Sequence, residues 1–183
     1  GRIIEDIGNH IYRKVLTELP LMFRSALPLG LSKNYSFIHM YKNIMESRGI
    51  RNCNPLNIRR SSDQWKGLCA QQTDTAFCQF KQMEYGWRSA LSLLTRTYYI
   101  KYHLCTIRSI VERWAPRSEN DTDAYINHVS QLSGIAPDQS LGAPQQHPVN
   151  WLLLAAAMAI QENGPSIRDP IALLKAWRLL QAP

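Results

Sequence analysis

The fold is decided by one apolar stretch, Trp151-Leu-Leu-Leu-Ala-Ala-Ala-Met-Ala-Ile-Gln-Glu-Asn-Gly164. Residues 151–160 are apolar on every side, so a helix formed by them has to be surrounded by the rest of the core. The run Asn163-Gly164-Pro165 then ends the helix. The stretch therefore predicts a buried central helix that carries a single acid, Glu162, in its last turn.

The remaining periodic segments predict a mainly α protein. Apolar residues recur at helical spacing in five further segments, and Thr106 and Pro116 mark the start and the end of one of them. These segments are 3–19, 85–102, 106–114, 118–134 and 167–180, with a looser one at 35–45. Gly134 marks the end of the fourth segment. We expect an N-terminal helical extension, residues 1–44, and a main domain, residues 45–183, because the composition changes at Glu46.

Length and charge limit the classes of protein to which this chain can belong. The chain has 183 residues, 45% of them hydrophobic, which is enough for one compact domain with a core. Its 21 Lys and Arg against 14 Asp and Glu give a net charge of +7, which favours encounter with a polyanion such as nucleic acid, a membrane surface or an anionic cell wall. The basic residues are dispersed, so an ordinary solvated surface explains them equally well.

A long polar loop precedes the helices of the main domain. Residues 49–80 are rich in Asn, Ser, Gln and Asp, which predicts an ordered loop or a short hairpin. Asn52, Asn54 and Asn57 lie at its start, and their amides both donate and accept, as the hydroxyl and acetamido groups of a sugar chain require. The alternative is that these amides satisfy the backbone of turns.

Glu162 is the first candidate catalytic residue. Burial and the negative end of a helix dipole both favour the protonated form of a carboxyl at this position. A protonated Glu is what cleavage of a glycosidic bond requires from a general acid. The alternative is an acid that turns outward to water, and Glu46, just before the loop, is a second candidate for the catalytic acid.

Other residues are candidates for weaker reasons. Trp65, Trp114 and Tyr125 offer apolar faces on which sugar rings can pack, although aromatic residues more often belong to a core. Glu119 and Asp121 are candidates for a second acid, although acids before a helix are ordinary caps and dipole partners.

Nothing in the sequence predicts a metal site, a cofactor or a membrane span. The four cysteines show neither a paired spacing nor metal-ligand spacing with the five histidines, and they mildly favour a reducing compartment. No apolar run reaches the length of a membrane span. The first residues show no signal-peptide pattern, because Glu5 and Asp6 interrupt them.

The loop carries a resemblance to a known family. Arg48-Gly-Ile-Arg-Asn-Cys-Asn-Pro-Leu-Asn-Ile-Arg59 resembles the R-G-I-R-N-N-N-P-G-N-I opening of small lysozyme-like proteins of phages, prophages and bacteria, which are described as virion structural proteins or lytic transglycosylases. Cys53 and Leu56 replace Asn and Gly of that pattern. The likeness continues in order through Trp65-Lys-Gly67, Tyr85-Gly86, Glu112-Arg-Trp-Ala-Pro116, Ser118-Glu-Asn-Asp-Thr122 and Glu162-Asn-Gly164.

A fainter similarity extends to autolysin-type N-acetylglucosaminidases. Their N-L-F-G-I-K segment is similar to Asn54-Pro-Leu-Asn-Ile-Arg59, and their catalytic Glu precedes it, where Glu46 stands here. The two resemblances imply a lysozyme-like domain that cleaves peptidoglycan glycan strands, as a lytic transglycosylase, lysozyme or N-acetylglucosaminidase, with no metal or cofactor. The alternative is a non-catalytic phage or prophage structural protein that binds glycan or DNA. Under the leading hypothesis, the expected partners of the chain are glycan strands and phage or prophage particle components; nucleic acid is not expected, and neither is a membrane span.

Overall fold

The computed structural model describes residues 46–182, and these residues form a mainly α domain, as predicted. The helices expected within residues 1–44 lie outside the described residues, and the domain boundary stays a prediction. The helices are α1 (Arg48–Arg51), α2 (Met83–Ser92), α3 (Ile107–Trp114), α4 (Thr122–Ser133), α5 (Pro148–Asn163) and α6 (Pro170–Gln181). A π-helical segment, Leu93–Lys101, continues α2, and a 3₁₀ turn, Pro165–Ile167, precedes α6.

The central helix is α5, and one of its sides is open. Trp151, Leu154 and Met158 are fully buried in the core. Val149 and Leu153 are exposed, so the expectation of a helix surrounded on all sides is wrong for this face. The helix nevertheless ends where the sequence predicts, because Gly164 follows it with a φ of 81°, a conformation that glycine adopts without strain.

The helix caps follow the sequence signals closely. Thr106 accepts a hydrogen bond from the Ser109 backbone, and the Ser109 hydroxyl accepts one from the Thr106 backbone, which makes a reciprocal capping box. Asp121 caps α4 by accepting from the Ala124 backbone. Gly134 ends α4 in the left-handed conformation, as predicted. Asp121 is therefore a capping residue.

The predicted helix over residues 85–102 changes its winding half-way. The Thr95 hydroxyl donates to the Leu91 carbonyl at 2.7 Å, so it competes with a backbone N–H for that acceptor close to the point where the π-helical segment begins. Leu94 and Tyr98 still point into the core, so the wider winding keeps the buried stripe of the helix.

The loop between α1 and α2 pairs with itself at two isolated antiparallel bridges. They join Arg59 to Phe77 and Leu68 to Phe80, which is as far as the predicted hairpin forms. The loop also packs tightly against α2 at Gly86, where an added Cβ would lie 1.9 Å from the Cys53 carbonyl oxygen. This close approach requires glycine and sets the distance between the loop and the helices.

We expect Gly86→Ala to destabilise the domain by about 2 kcal/mol or more, because the added methyl meets backbone that cannot move without displacing the loop. The matched control is Gly134→Ala, where the methyl meets nothing within 4 Å. That control carries only the cost of a left-handed backbone, about 1 kcal/mol. Urea unfolding measures the free energy of unfolding of both variants. Equal losses would show that the loop does not depend on its close contact with α2 at Gly86.

Candidate functional site

A groove with a volume of about 490 Å³ runs along the loop, past the ends of α3 and α5. The loop contributes Asn57, Trp65 and Phe77 to its lining, while Trp114 comes from α3 and Glu162 from α5. The volume lies in the range of ordinary ligand pockets. The groove therefore combines aromatic faces, amides and acids from separate parts of the chain.

Glu162 is held by three hydrogen-bond donors. Its Oε1 atom accepts from the indole Nε1 of Trp114 at 3.1 Å and from the hydroxyl of Tyr125 at 3.0 Å. Its Oε2 atom accepts from Nδ2 of Asn57 at 3.4 Å. The sequence predicted an apolar environment for this partly buried acid, whereas the structure surrounds it with polar donors. Oε1 thus has two partners, and Oε2 has one weak partner.

The two donors to Oε1 are fixed by their own packing. Trp114 is the last residue of α3, and its ring contacts the edge of the Tyr98 ring, with 6.2 Å between the centroids. Tyr125 lies in α4 and is buried. Burial raises the pKa of Tyr125, and the neighbouring Glu162 raises it further, so the phenol keeps its proton and remains a donor.

Two of the three predicted asparagines serve the loop itself. The Asn54 amide donates to the Ile58 and Cys78 carbonyls and accepts from the Ile58 backbone N–H. Asn52 donates to Asp74 and accepts from Gln79. Both amides are buried and already paired within the loop, so substrate contact by these two residues stays a prediction.

Asp74 organises the other side of the loop. Its carboxylate accepts two hydrogen bonds from Arg48, both at 2.7 Å, one from Asn52, and one each from the Ala76 and Phe77 backbone. The Arg48 hydrogen bonds hold the pKa of Asp74 well below its usual range; burial opposes this shift, and the other donors reinforce it. Nothing in the sequence distinguished Asp74 from other polar residues of the loop.

The remaining candidates are spread between the groove and the surface. Asn57, Trp65 and Glu119 line the groove, and Glu119 forms an exposed ion pair with Arg59 at 3.8 Å. Such exposed pairs contribute little to stability. Glu46 precedes α1 and is not among the residues that line the groove. The structure thus brings Glu162, Asn57 and Tyr125 into direct contact, while Glu46 lies elsewhere.

Asn57 has a feature that sequence reasoning did not anticipate. Its backbone adopts a φ of 48°, a conformation that asparagine tolerates better than most residues. Its Oδ1 atom is buried without a hydrogen-bond partner. An asparagine amide carries a donor and an acceptor at equivalent positions, so a half-turn of the side chain would present the acceptor to Glu162 instead of the donor.

The described part of the chain offers no cluster of three or more His, Cys, Asp or Glu that could hold a metal ion. Within residues 46–182, none of the helices has both the length and the apolar character needed to cross a membrane.

Comparison with known proteins identifies a relative in a bacteriophage. The sequence is 42% identical over 121 residues to protein P5 of Pseudoalteromonas phage PM2, an alignment that covers 64% of this chain and 72% of P5. The chain belongs to the family of phage protein P5. No protein-family model matches the sequence. The phage connection predicted from the loop motif is confirmed, while the name P5 states no activity and the lysozyme-like function stays a prediction.

The Asp74 interactions predict how stability depends on pH. Because the native pKa of Asp74 lies below that of the unfolded chain, its carboxylate stabilises the fold above about pH 4, the ordinary range of an aspartate. This stabilisation is lost as the pH falls toward the lowered native pKa. We expect Asp74→Asn to destabilise the domain by about 2 kcal/mol at pH 7, because several charge-assisted hydrogen bonds are removed, and by less at pH 3.

The matched control for this prediction is Asp138→Asn. Both carboxylate oxygens of Asp138 also accept hydrogen bonds from one guanidinium, that of Arg108. The Asp138 side chain is 71% exposed, however, against 9% for Asp74. Because solvent screens this pair, Asp138→Asn should lower the free energy of unfolding much less than Asp74→Asn does. Urea unfolding at the two pH values tests both variants, and equal losses at pH 7 and pH 3 for Asp74→Asn would contradict the assignment.

Proposed function

We propose that the groove binds the glycan strand of peptidoglycan and that Glu162 cleaves its β-1,4 linkage as a general acid. The observation that carries the proposal is the position of Glu162, an acid in a groove with aromatic faces beside it. Trp65 offers an apolar surface for the face of a sugar ring. Asn57 and Asn120 add amides that match hydroxyl and acetamido groups.

The hydrogen bonds around Glu162 support a choice between its two oxygens as the proton donor of the proposed reaction. An indole N–H can only donate, so the Oε1 atom that faces Trp114 acts as an acceptor. In the proposed reaction the donating oxygen is therefore Oε2, which has a single weak partner. Oε2 gives its proton to the glycosidic oxygen, and the bond between that oxygen and the sugar C1 breaks.

The second half of the reaction needs a nucleophile at C1. In a lytic transglycosylase the 6-hydroxyl of the same sugar attacks C1, and the Glu162 carboxylate takes up the hydroxyl proton, which restores the acid. In a hydrolase, water attacks instead, and either the acetamido group of the substrate or a second carboxylate assists it. Glu119 is the candidate for that carboxylate, because it lines the same groove. A single acid suffices for the transglycosylase route.

We expect Glu162→Gln to lower the rate of glycan cleavage by about 100-fold or more, because a general acid contributes at least that factor. The fold should persist, since the glutamine oxygen can still accept from Trp114 and Tyr125. Release of soluble fragments from dye-labelled peptidoglycan measures the rate.

The matched control is Glu46→Gln, which changes the other candidate acid. Glu46 is not in the groove lining, so this variant should cleave at the wild-type rate. Wild-type activity in Glu162→Gln, or a comparable loss in Glu46→Gln, would overturn the assignment of the acid.

A second candidate function is a non-catalytic phage structural protein that holds glycan in the same groove. The observation that favours it is that all three partners of Glu162 are donors from different elements, an arrangement that also suits a carboxylate used only to join them. Such a protein would sediment with insoluble peptidoglycan and release nothing. A DNA-binding version would instead show binding that weakens steeply with salt and does not depend on Glu162.

A further inference from the structure

We propose that Asn163 is a positioning residue, which sets the place of the loop amide of Asn57 relative to the acid Glu162. This inference rests on the proposed function of the groove. Asn163 directly follows Glu162 in the last turn of α5, and it is not among the residues that line the groove. It acts through the backbone of the loop.

The Asn163 side chain joins three segments of backbone. Its Oδ1 atom accepts from the Gly49 N–H at 3.0 Å. Its Nδ2 group donates to the Pro55 carbonyl at 2.8 Å and to the Ala159 carbonyl, one turn earlier in α5, at 3.1 Å. Both polar atoms at the end of this side chain are therefore hydrogen-bonded to the backbone.

The contact with Gly49 replaces a missing helix cap. Ser47 stands at the N-cap of α1 but makes no capping hydrogen bond, and its hydroxyl is buried without a partner. Asn163 supplies the acceptor instead, from 114 residues further along the chain. A Cβ at position 49 would lie 2.2 Å from Oδ1 of Asn163, so only glycine allows the approach.

The contact with Pro55 fixes the loop two residues before Asn57. Asn57 turns into the groove through its left-handed backbone and meets Glu162 there. The acid and its loop partner are thus connected by a short path, from Glu162 through the Asn163 amide and Pro55 to Asn57. If the Asn163 amide is removed, Glu162 keeps its hydrogen bonds from Trp114 and Tyr125. The loop, however, becomes free to move relative to Glu162.

A residue that only stabilises the fold would leave the folded-state spectrum of the groove unchanged. We therefore compare Asn163→Ala with Asn150→Ala by ¹⁵N–¹H spectra of the folded proteins. Asn150 lies on the same helix, and its amide also donates to a loop carbonyl, that of Leu141, at 3.0 Å. It serves as a control for the loss of one helix-to-loop amide away from the groove.

The expected result is that Asn163→Ala shifts the side-chain amide resonances of Asn57 and leaves the indole N–H resonance of Trp114 at its wild-type position. Asn150→Ala should leave both unchanged. In a cleavage assay, Asn163→Ala should lower kcat by about 10- to 100-fold with little change in KM, because misplacement of a group by about 1 Å has effects of this size.

Unchanged Asn57 resonances in folded Asn163→Ala would overturn the proposal. Asn163→Ser is the second variant, because its hydroxyl is a smaller polar replacement if the alanine variant does not fold. Failure of both variants to fold would also overturn the proposal, since Asn163 would then be a folding residue. If the wild type cleaves no glycan, the proposed function fails. The comparison of the Asn57 resonances still tests by itself whether Asn163 positions Asn57.

Discussion

The last turn of α5 is the point on which the site depends, because two adjacent side chains there hold separate parts of the chain. Glu162 accepts hydrogen bonds from the end of α3, from α4 and from the loop. Asn163 binds the backbone of α1 at Gly49 and the backbone of the loop at Pro55. The apolar core buries one side of α5, at Trp151, Leu154 and Met158, and so fixes the position of these two residues. The groove exists because the loop is tied to this end of the helix.

Much of the fold follows from local sequence signals. The apolar stretch predicted α5 and the place of Glu162 in its last turn, and Thr106 and Gly134 predicted a helix start and a helix end. These predictions succeed because capping and periodicity act within a few residues. The exposed face of α5 at Leu153 was missed, since an apolar residue in a sequence does not reveal which of its sides lacks a neighbour.

The site was predicted less well, because its contacts join residues far apart in the chain. Asn54 and Asn57 look alike in the sequence, yet one satisfies the loop and the other meets the acid. Trp114 was expected to offer an apolar face, whereas its indole N–H donates to Glu162. The role of Asn163 depends on partners more than 100 residues away, and no local pattern carries that information.

The central claim is that this phage-related domain cleaves glycan rather than only holding it. The most direct measurement is digestion of purified peptidoglycan by the wild-type protein, with the soluble products resolved by mass spectrometry. The account predicts soluble muropeptides, with anhydro ends if the 6-hydroxyl attacks and reducing ends if water does. A folded protein that binds peptidoglycan but releases no muropeptide would contradict the account and leave the structural role as the explanation of the groove.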